Sequence, residues 1–144
     1  MDYPTLLQGE TPQIRVYPRY TVVAEKSQVM VVRGLLNSRL KDYYDLWLLT
    51  ENFDFDLALL RTAIERTFSR RTTELPSMIP DALSPIFATD AVKRSQWRAF
   101  SRKMHLAVPE LSEVVARLAT FLVPVLTGDF SQSLLWRHDF ARWG

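Results

Sequence analysis

The sequence contains no cysteine, only four glycines and no long apolar run. Without cysteine there is no disulfide framework and no thiolate metal site, which favours a reducing compartment and hence a cytoplasmic protein. The most apolar stretch, LATFLVPVL at 118–126, is too short to span a bilayer, so we expect no membrane partner. The four glycines stand apart from one another, so no glycine-rich phosphate loop is present.

What is present fits one globular domain. The chain has 144 residues, of which 47% are apolar and 24% charged, with a formal net charge of +2. That length can bury a real core. The mild positive charge is compatible with a nucleotide or nucleic-acid partner but does not by itself indicate one. The opening MDYPTLLQGE lacks the basic and apolar regions of a signal peptide.

Apolar residues recur with helical spacing through most of the chain after Thr21. A single strand is predicted before them, at 13–17 (QIRVY), and a lone strand needs a neighbour to satisfy its backbone. Asn37 or Ser38, Asp54 or Asp56, and Asp90 are candidate N-caps, and Pro124 is expected to bend or end its helix. The predicted helices cover 21–36, 38–51, 56–71, 90–104 and 109–126.

Two cations interrupt the apolar face of the first predicted helix. Lys26 and Arg33 fall on the same stripe as Val22, Val29 and Leu36. Desolvating an unpaired charge is costly, so these cations need anionic partners or a route to solvent. They could face a phosphate group, or they could reach the edge of the helix or pair with nearby acids. The pattern alone favours the second interpretation.

The next helix carries two acids and two cations in an otherwise apolar and aromatic segment, NSRLKDYYDLWLL at 37–49. Arg39 and Asp42 are three apart and Lys41 and Asp45 four apart, so ion pairs along one helix explain them most simply. The helix is apolar over most of its circumference, however, and leaves little solvated surface for acids. Acids at a crevice can act as general bases, so a catalytic role is the alternative.

Other candidate sites are weak. Asp54-Phe55-Asp56 is the sole Asp-x-Asp in the chain, but it precedes a helix and therefore predicts an N-cap rather than a metal pair. His105 and His138 have no ligand spacing between them. We therefore predict no metal site in this chain.

The segments YPRYTVVAEK at 17–26 and NSRLKDYYDLWLL at 37–49 resemble the AbiEii/AbiGii nucleotidyl transferase toxin family of type IV toxin–antitoxin systems. The resemblance extends over 2–126 and is most specific within 17–49. It implies a helical part of a DNA polymerase β-like nucleotidyltransferase, which uses Mg²⁺ and an NTP to modify an acceptor such as tRNA or another RNA. An antitoxin protein would be its partner.

The resemblance also implies roles for the charged residues. Lys26 would contact nucleotide phosphates, and Arg39 would position phosphate or RNA. Asp42 would be the catalytic acid, acting as a general base for the acceptor hydroxyl. Lys41 and Asp45 would support it.

The sequence departs from the family in lacking a Gly-Ser loop and a metal-binding Asp-x-Asp upstream of these motifs. We therefore expect a mainly α chain that is the helical C-terminal portion of an α+β nucleotidyltransferase, truncated, inactive alone and binding no cofactor alone. The expected divisions are a sheet remnant at 1–20, a helical domain at 21–127 and an irregular tail at 128–144.

Two other interpretations stay open. The chain could be a helical interaction module that binds an antitoxin or a separately encoded N-terminal half, or that self-associates through the strand at 13–17. It could also be the product of a decaying gene that does nothing.

Overall fold

A computed structural model describes residues 18–128 and 134–144. The predicted mainly α class is confirmed, while the predicted strand at 13–17 lies outside the described residues. The α-helices in the described part are α1 Pro18–Arg33, α2 Leu40–Asn52, α3 Leu57–Arg70, α4 Pro85–Thr89, α5 Ala91–Lys103 and α6 Leu111–Thr127.

The core forms around α6, which is the most apolar of these helices. Leu118, Phe121 and Leu122 on its inner face are fully buried, because the spacing of its apolar residues places them on one side. Helix α1 packs mainly on α3, and both α2 and α4 pack on α6. Within the described segments, no helix is both long and apolar enough to cross a membrane.

Two glycines end helices by adopting the left-handed conformation that other residues disfavour. Gly34 has φ +55° and turns the chain out of α1 into a 3₁₀ turn at Gly34–Leu36. Gly128 has φ +75° and ends α6. Pro124 does not end its helix, since α6 runs on to Thr127, and a bend at Pro124 stays a prediction. Arg61 donates to the carbonyl oxygens of Val125 and Leu126 and so supports this last turn.

The helix caps agree with the sequence in two cases and differ in one. Asp56 and Asp90 accept hydrogen bonds from the backbone at the starts of α3 and α5, as predicted. Helix α2 instead has Arg39 at its N-cap, without a side-chain cap. Asn37 is buried and accepts a hydrogen bond from the Arg39 backbone, so it stabilises the turn before the cap position.

A small antiparallel sheet joins the C-terminal segment to the helices. It consists of β1 Phe55–Asp56, β2 Leu135–Arg137 and β3 Arg142–Trp143, in that order. Trp136 is fully buried, and its indole donates to the Thr50 carbonyl at 3.0 Å. The sequence analysis does not anticipate these strands. Their function in the fold is to hold residues 134–144 against the helical core.

Candidate functional site

The five residues that the sequence analysis selected lie in one network of ion pairs between α1 and α2. The Nζ of Lys26 is 2.7 Å from Oδ1 of Asp42 and 3.2 Å from Oδ2 of Asp45. The Nε of Arg39 is 3.0 Å from Oδ2 of Asp42. The Nζ of Lys41 is 2.9 Å from Oδ2 of Asp45. Three cations from two helices therefore surround two carboxylates.

Local sequence explains why these groups meet. Asp42 and Asp45 are three positions apart, so both carboxylates project from the same side of α2. The turn at Gly34 reverses the chain between α1 and α2 and brings Lys26, at the middle of α1, opposite that side. Arg39 stands at the start of α2, one turn before Asp42. The charged stripe of α1 thus faces the acids of the next helix.

The network is partly removed from solvent. The Asp42 side chain is only 6% exposed and that of Lys26 is 23% exposed. A carboxylate this deeply placed is tolerated because cations stand on both of its oxygens. Oδ1 of Asp42 accepts a hydrogen bond from Lys26. Oδ2 lies 3.0 Å from the Nε of Arg39, but the two atoms are not aligned for a hydrogen bond. Oδ2 therefore has an ion-pair partner but no hydrogen-bond donor among the described residues.

The carboxylates also hold Lys26 in its charged form. Burial by itself would lower the pKa of Lys26, because desolvation penalises the ammonium group. The hydrogen bonds and charges of Asp42 and Asp45 outweigh that effect, and the pKa of Lys26 is raised above 10.5. Lys26 is therefore a permanent cation at neutral pH.

Two depressions open on either side of Lys26. One has a volume of about 340 Å³ and is polar, and Lys26, Arg39, Asp42 and Arg71 contribute its charged edge together with Glu25. The other has a volume of about 530 Å³ and is mainly apolar, and its lining comprises Val22, Lys26, Asp45, Leu48, Leu49, Asn52 and Phe53. Lys26 and Val22 border both depressions, so the charged depression and the apolar depression are adjacent.

The pairing interpretation of Lys26 is confirmed, because its partners are acids of the next helix. Arg33 does not join the network. It is exposed near the end of α1, and in the described chain no carboxylate lies within ion-pair distance of it. Glu25 instead approaches Arg70 at 3.7 Å and Arg71 at 3.9 Å, from the end of α3.

Arg71 is a site residue that the sequence analysis missed. Its place at the end of the predicted helix 56–71 is explained by the favourable interaction of a cation with a helix C-terminus. In the fold, α3 lies against α1, and Nη1 of Arg71 donates to Oε1 of Gln28 at 2.8 Å. This contact across 43 residues brings a third cation, after Lys26 and Arg39, to the polar depression, and no local pattern could have indicated it.

The described residues do not fit a Mg²⁺ site. Asp42 and Asp45 already pair with Lys26, while Asp56 caps α3 by accepting from the backbone of Leu59. Asp54 accepts from the backbone of His138 at 3.0 Å. In 18–128 and 134–144 no group of three or more metal-ligating side chains converges. The network carries three cations and two carboxylates, so its formal charge is positive.

Comparison with known proteins assigns the family. The model of the family described as "Nucleotidyl transferase AbiEii toxin, Type IV TA system" matches residues 1–123. No curated protein and no solved structure matches the chain. The matched range contains all five residues of the ion-pair network, and the family supports a nucleotidyltransferase-like toxin function with an antitoxin as partner. Since most of its length is matched, the chain belongs to the AbiEii nucleotidyl transferase toxin family of type IV toxin–antitoxin systems.

Proposed function

We propose that the cations of the α1–α2 network bind the phosphate groups of a nucleoside triphosphate for nucleotidyl transfer. The observation that carries the proposal is the convergence of Lys26, Arg39 and Lys41 beside a polar depression that Arg71 also borders. Positioning and charge stabilisation are the main contributions a protein makes to phosphoryl chemistry. Guanidinium groups in particular match phosphate oxygens in geometry.

Binding would exchange one set of anions for another. Lys26 and Arg39 neutralise Asp42 in the structure, and a triphosphate carries more charge than a carboxylate. As the cations turn toward phosphate, Asp42 loses partners and becomes free to accept a proton. We assign Asp42 the role of general base for the acceptor hydroxyl, with Asp45 and Lys41 holding its surroundings.

The nucleoside would occupy the apolar depression. Phe53 is 43% exposed and borders that depression together with Leu48 and Leu49. A base buries its faces well against aromatic and aliphatic side chains. Because Lys26 borders both depressions, one nucleotide could place its phosphates and its base on opposite sides of this residue.

Turnover needs more than this network supplies. Nucleotidyl transfer with two metal ions requires carboxylates that hold them, and the Asp-x-Asp of this sequence is engaged in the fold. We propose that the chain binds nucleotide, unlike the sequence-based expectation of no bound cofactor, and that it is inactive alone. Metal-binding groups would come from elsewhere in a complete system. The acceptor would be an RNA, the antitoxin would restrain the toxin, and both would be met in the cytoplasm.

Calorimetric titration of the chain with each of the four NTPs tests the binding proposal. We expect Lys26→Gln and Arg39→Gln to weaken NTP binding about tenfold or more, since each removes a charge-assisted contact. Arg33→Gln is the matched control, because it removes one exposed cation from α1 outside the network. Binding of an NTP that Lys26→Gln and Arg39→Gln leave unchanged would overturn the proposal.

Titration with tripolyphosphate, which has no nucleoside, distinguishes the roles of the two depressions. Phe53→Ala should weaken NTP binding and leave tripolyphosphate binding unchanged, whereas Arg39→Gln should weaken both. Transfer of label from an NTP to RNA, with Mg²⁺ present, tests the inactivity of the isolated chain. Product formed by the purified chain, and lost in Asp42→Asn, would contradict the inactivity and support the role of Asp42.

A further inference from the structure

Helix α5 is the most one-sidedly charged element in the described chain. Its 13 residues, Ala91–Lys103, contain five cations and no acidic residue. They are Lys93, Arg94, Arg98, Arg102 and Lys103. The whole chain has a formal net charge of only +2, so this helix concentrates positive charge that is balanced elsewhere.

Three of these cations form a stripe along the outer face. Arg94, Arg98 and Arg102 are each four positions apart, which places them on one side of the helix about 6 Å apart along its axis. All three are exposed. The opposite face is anchored by Trp97, which is fully buried and donates from its indole to the Pro109 carbonyl at 2.9 Å.

Most of the charge on this helix lacks a protein partner. Arg98 pairs with Glu110 at 3.0 Å, with both side chains about half exposed. Elsewhere in the described chain no carboxylate lies within ion-pair distance of Arg94, Arg102 or Lys103. Exposed guanidinium groups without acids retain their full attraction for an outside anion.

The stability of the helix does not explain the cations at its start. Lys93 and Arg94 lie in the first turn of α5, where the helix dipole disfavours positive charge. The carboxylate of Asp90 at the N-cap suits the dipole, but the turn itself contains no acidic residue. Arg102 and Lys103 in the last turn suit the dipole, but Arg94 opposes it. A position that opposes local stability is a candidate for a functional one.

The start of α5 lies next to the turn that leads into α2. The Nζ of Lys93 donates to the Asn37 carbonyl at 2.7 Å, and the Tyr44 and Phe100 rings lie 6.2 Å apart. Both contacts join positions separated by the same 56 residues, so the segment 37–44 and α5 run in the same direction. The start of α5 is therefore adjacent to the end of α2 that carries Arg39. Lys93 and Phe100 lie on the side of α5 away from the arginine stripe.

We propose that Arg94, Arg98 and Arg102 bind the phosphate backbone of an RNA, and lead that strand toward the α1–α2 network. The inference rests on the proposed function, to which it adds a docking surface for the acceptor. The outer face also presents Ser95 and Ala99, which are small, and Val92, which is 63% exposed. Three exposed arginines dominate the charge of this helix, which contains no acidic residue, and this favours a polyanion. An acidic protein is the alternative that the test must separate.

Fluorescence anisotropy with a labelled 20-nucleotide oligouridylate tests the proposal. The test variant combines Arg94→Gln, Arg98→Gln and Arg102→Gln, and a second combines the three Arg→Lys changes. The control combines Arg66→Gln, Arg137→Gln and Arg142→Gln, which removes three exposed cations outside both regions. Circular dichroism of each variant establishes that it is folded. Affinity is measured over a range of salt concentrations.

We expect the Gln variant of the stripe to bind RNA about tenfold or more weakly, with a salt-dependence slope smaller by about 2 for three lost phosphate contacts. The Lys variant and the control should bind like the original chain. Equal loss in the stripe variant and the control would overturn the proposal in favour of net charge alone.

Two further outcomes separate this proposal from the proposed function. Absence of RNA binding by the original chain, together with NTP binding that depends on Arg39, would overturn the docking surface alone. Effective competition by polyglutamate, at equal charge concentration, would overturn it in favour of an acidic protein. RNA binding lost only with the stripe, in a chain that binds no NTP, would support the surface and contradict the nucleotide proposal.

Discussion

The α1–α2 network and the outer face of α5 both present cations, but they hold them differently. Lys26, Arg39 and Lys41 each contact a carboxylate, whereas among the described residues no carboxylate lies within ion-pair distance of Arg94 or Arg102. In the first region the Asp42 side chain is nearly buried. In the second the charges stand in solvent on a helix with no acid of its own.

This difference separates two ways of using positive charge. A paired, partly buried cation contributes to the fold, because removing either partner leaves an uncompensated charge. It binds an outside anion only by exchanging partners, which favours a compact ligand of high charge. Unpaired surface cations contribute little to the fold and act at longer range, which favours a polymer. Changes in the two regions should therefore move different observables.

The largest expected effect on stability is at Asp42. We expect Asp42→Ala to lower the free energy of unfolding by about 3 kcal/mol, because it leaves Lys26 partly buried without its closest partner. This is the lower end of the range for a broken buried pair, since Lys26 is 23% exposed. Urea denaturation measures the change. A loss under 1 kcal/mol would mean that the network does not support the fold.

A smaller effect of opposite sign is expected at Arg94. Arg94→Glu replaces a cation near the start of α5 with an anion, and we expect a gain of about 0.5 kcal/mol or more in unfolding free energy. The same change should weaken RNA binding. A thermal melt and an anisotropy titration on one sample would measure both. Lower stability in this variant would contradict the argument that helix stability does not explain the charge.

Lys41 should have the smallest effect among the network residues. Its side chain is 69% exposed, and its pair with Asp45 runs along one helix turn. We expect Lys41→Gln to change the unfolding free energy by only about 0.3 kcal/mol. Denaturation beside Asp42→Ala makes the comparison direct. Equal losses in the two variants would show that burial does not distinguish the pairs.

The pair of His138 and Asp54 extends the comparison to a contact whose side chains are 35% and 53% exposed. Hydrogen bonds from His138 lower the pKa of Asp54, and the hydrogen bond to Asp54 raises the pKa of His138. The Asp54 contribution is present above pH 3.8 and lost as pH falls through its lowered folded pKa. The His138 contribution is complete below pH 6.5 and lost as pH rises through its raised folded pKa.

The free energy of unfolding of the original chain should therefore decrease by a small amount as the pH rises above 6.5. This decrease should be absent in His138→Gln. Denaturation midpoints at a series of pH values measure it. Identical profiles for the two proteins would show that the pair contributes nothing, as many surface pairs do.

The sequence predicted the parts of this fold that depend on local pattern. Helical periodicity placed α1, α2, α3, α5 and α6, and Asp56 and Asp90 were identified as caps. The charged residues of α1 and α2 were also selected, because cations and acids in apolar helices need an explanation. Their catalytic roles stay predictions. What the pattern could not supply was the tertiary setting that brings Lys26 to Asp42.

The features that the sequence missed depend on distant contacts. Strands of two or three residues, such as β2 around Trp136, are too short for alternation to show. Arg71 joins the polar depression only because α3 packs on α1. Asn37 holds a turn instead of capping α2, and Pro124 stays within α6 beside the carbonyls that Arg61 binds. Each outcome is determined by a neighbour far away in the sequence.

The most direct test titrates two variants against two ligands. Arg39→Gln and the triple Arg→Gln variant of α5 are each titrated with an NTP and with the labelled oligouridylate. The account predicts that Arg39→Gln loses the NTP and keeps most RNA affinity, while the α5 variant loses RNA and keeps the NTP. If both variants lose both ligands equally, the paired and the unpaired cations form one undifferentiated basic surface, and the central claim is contradicted.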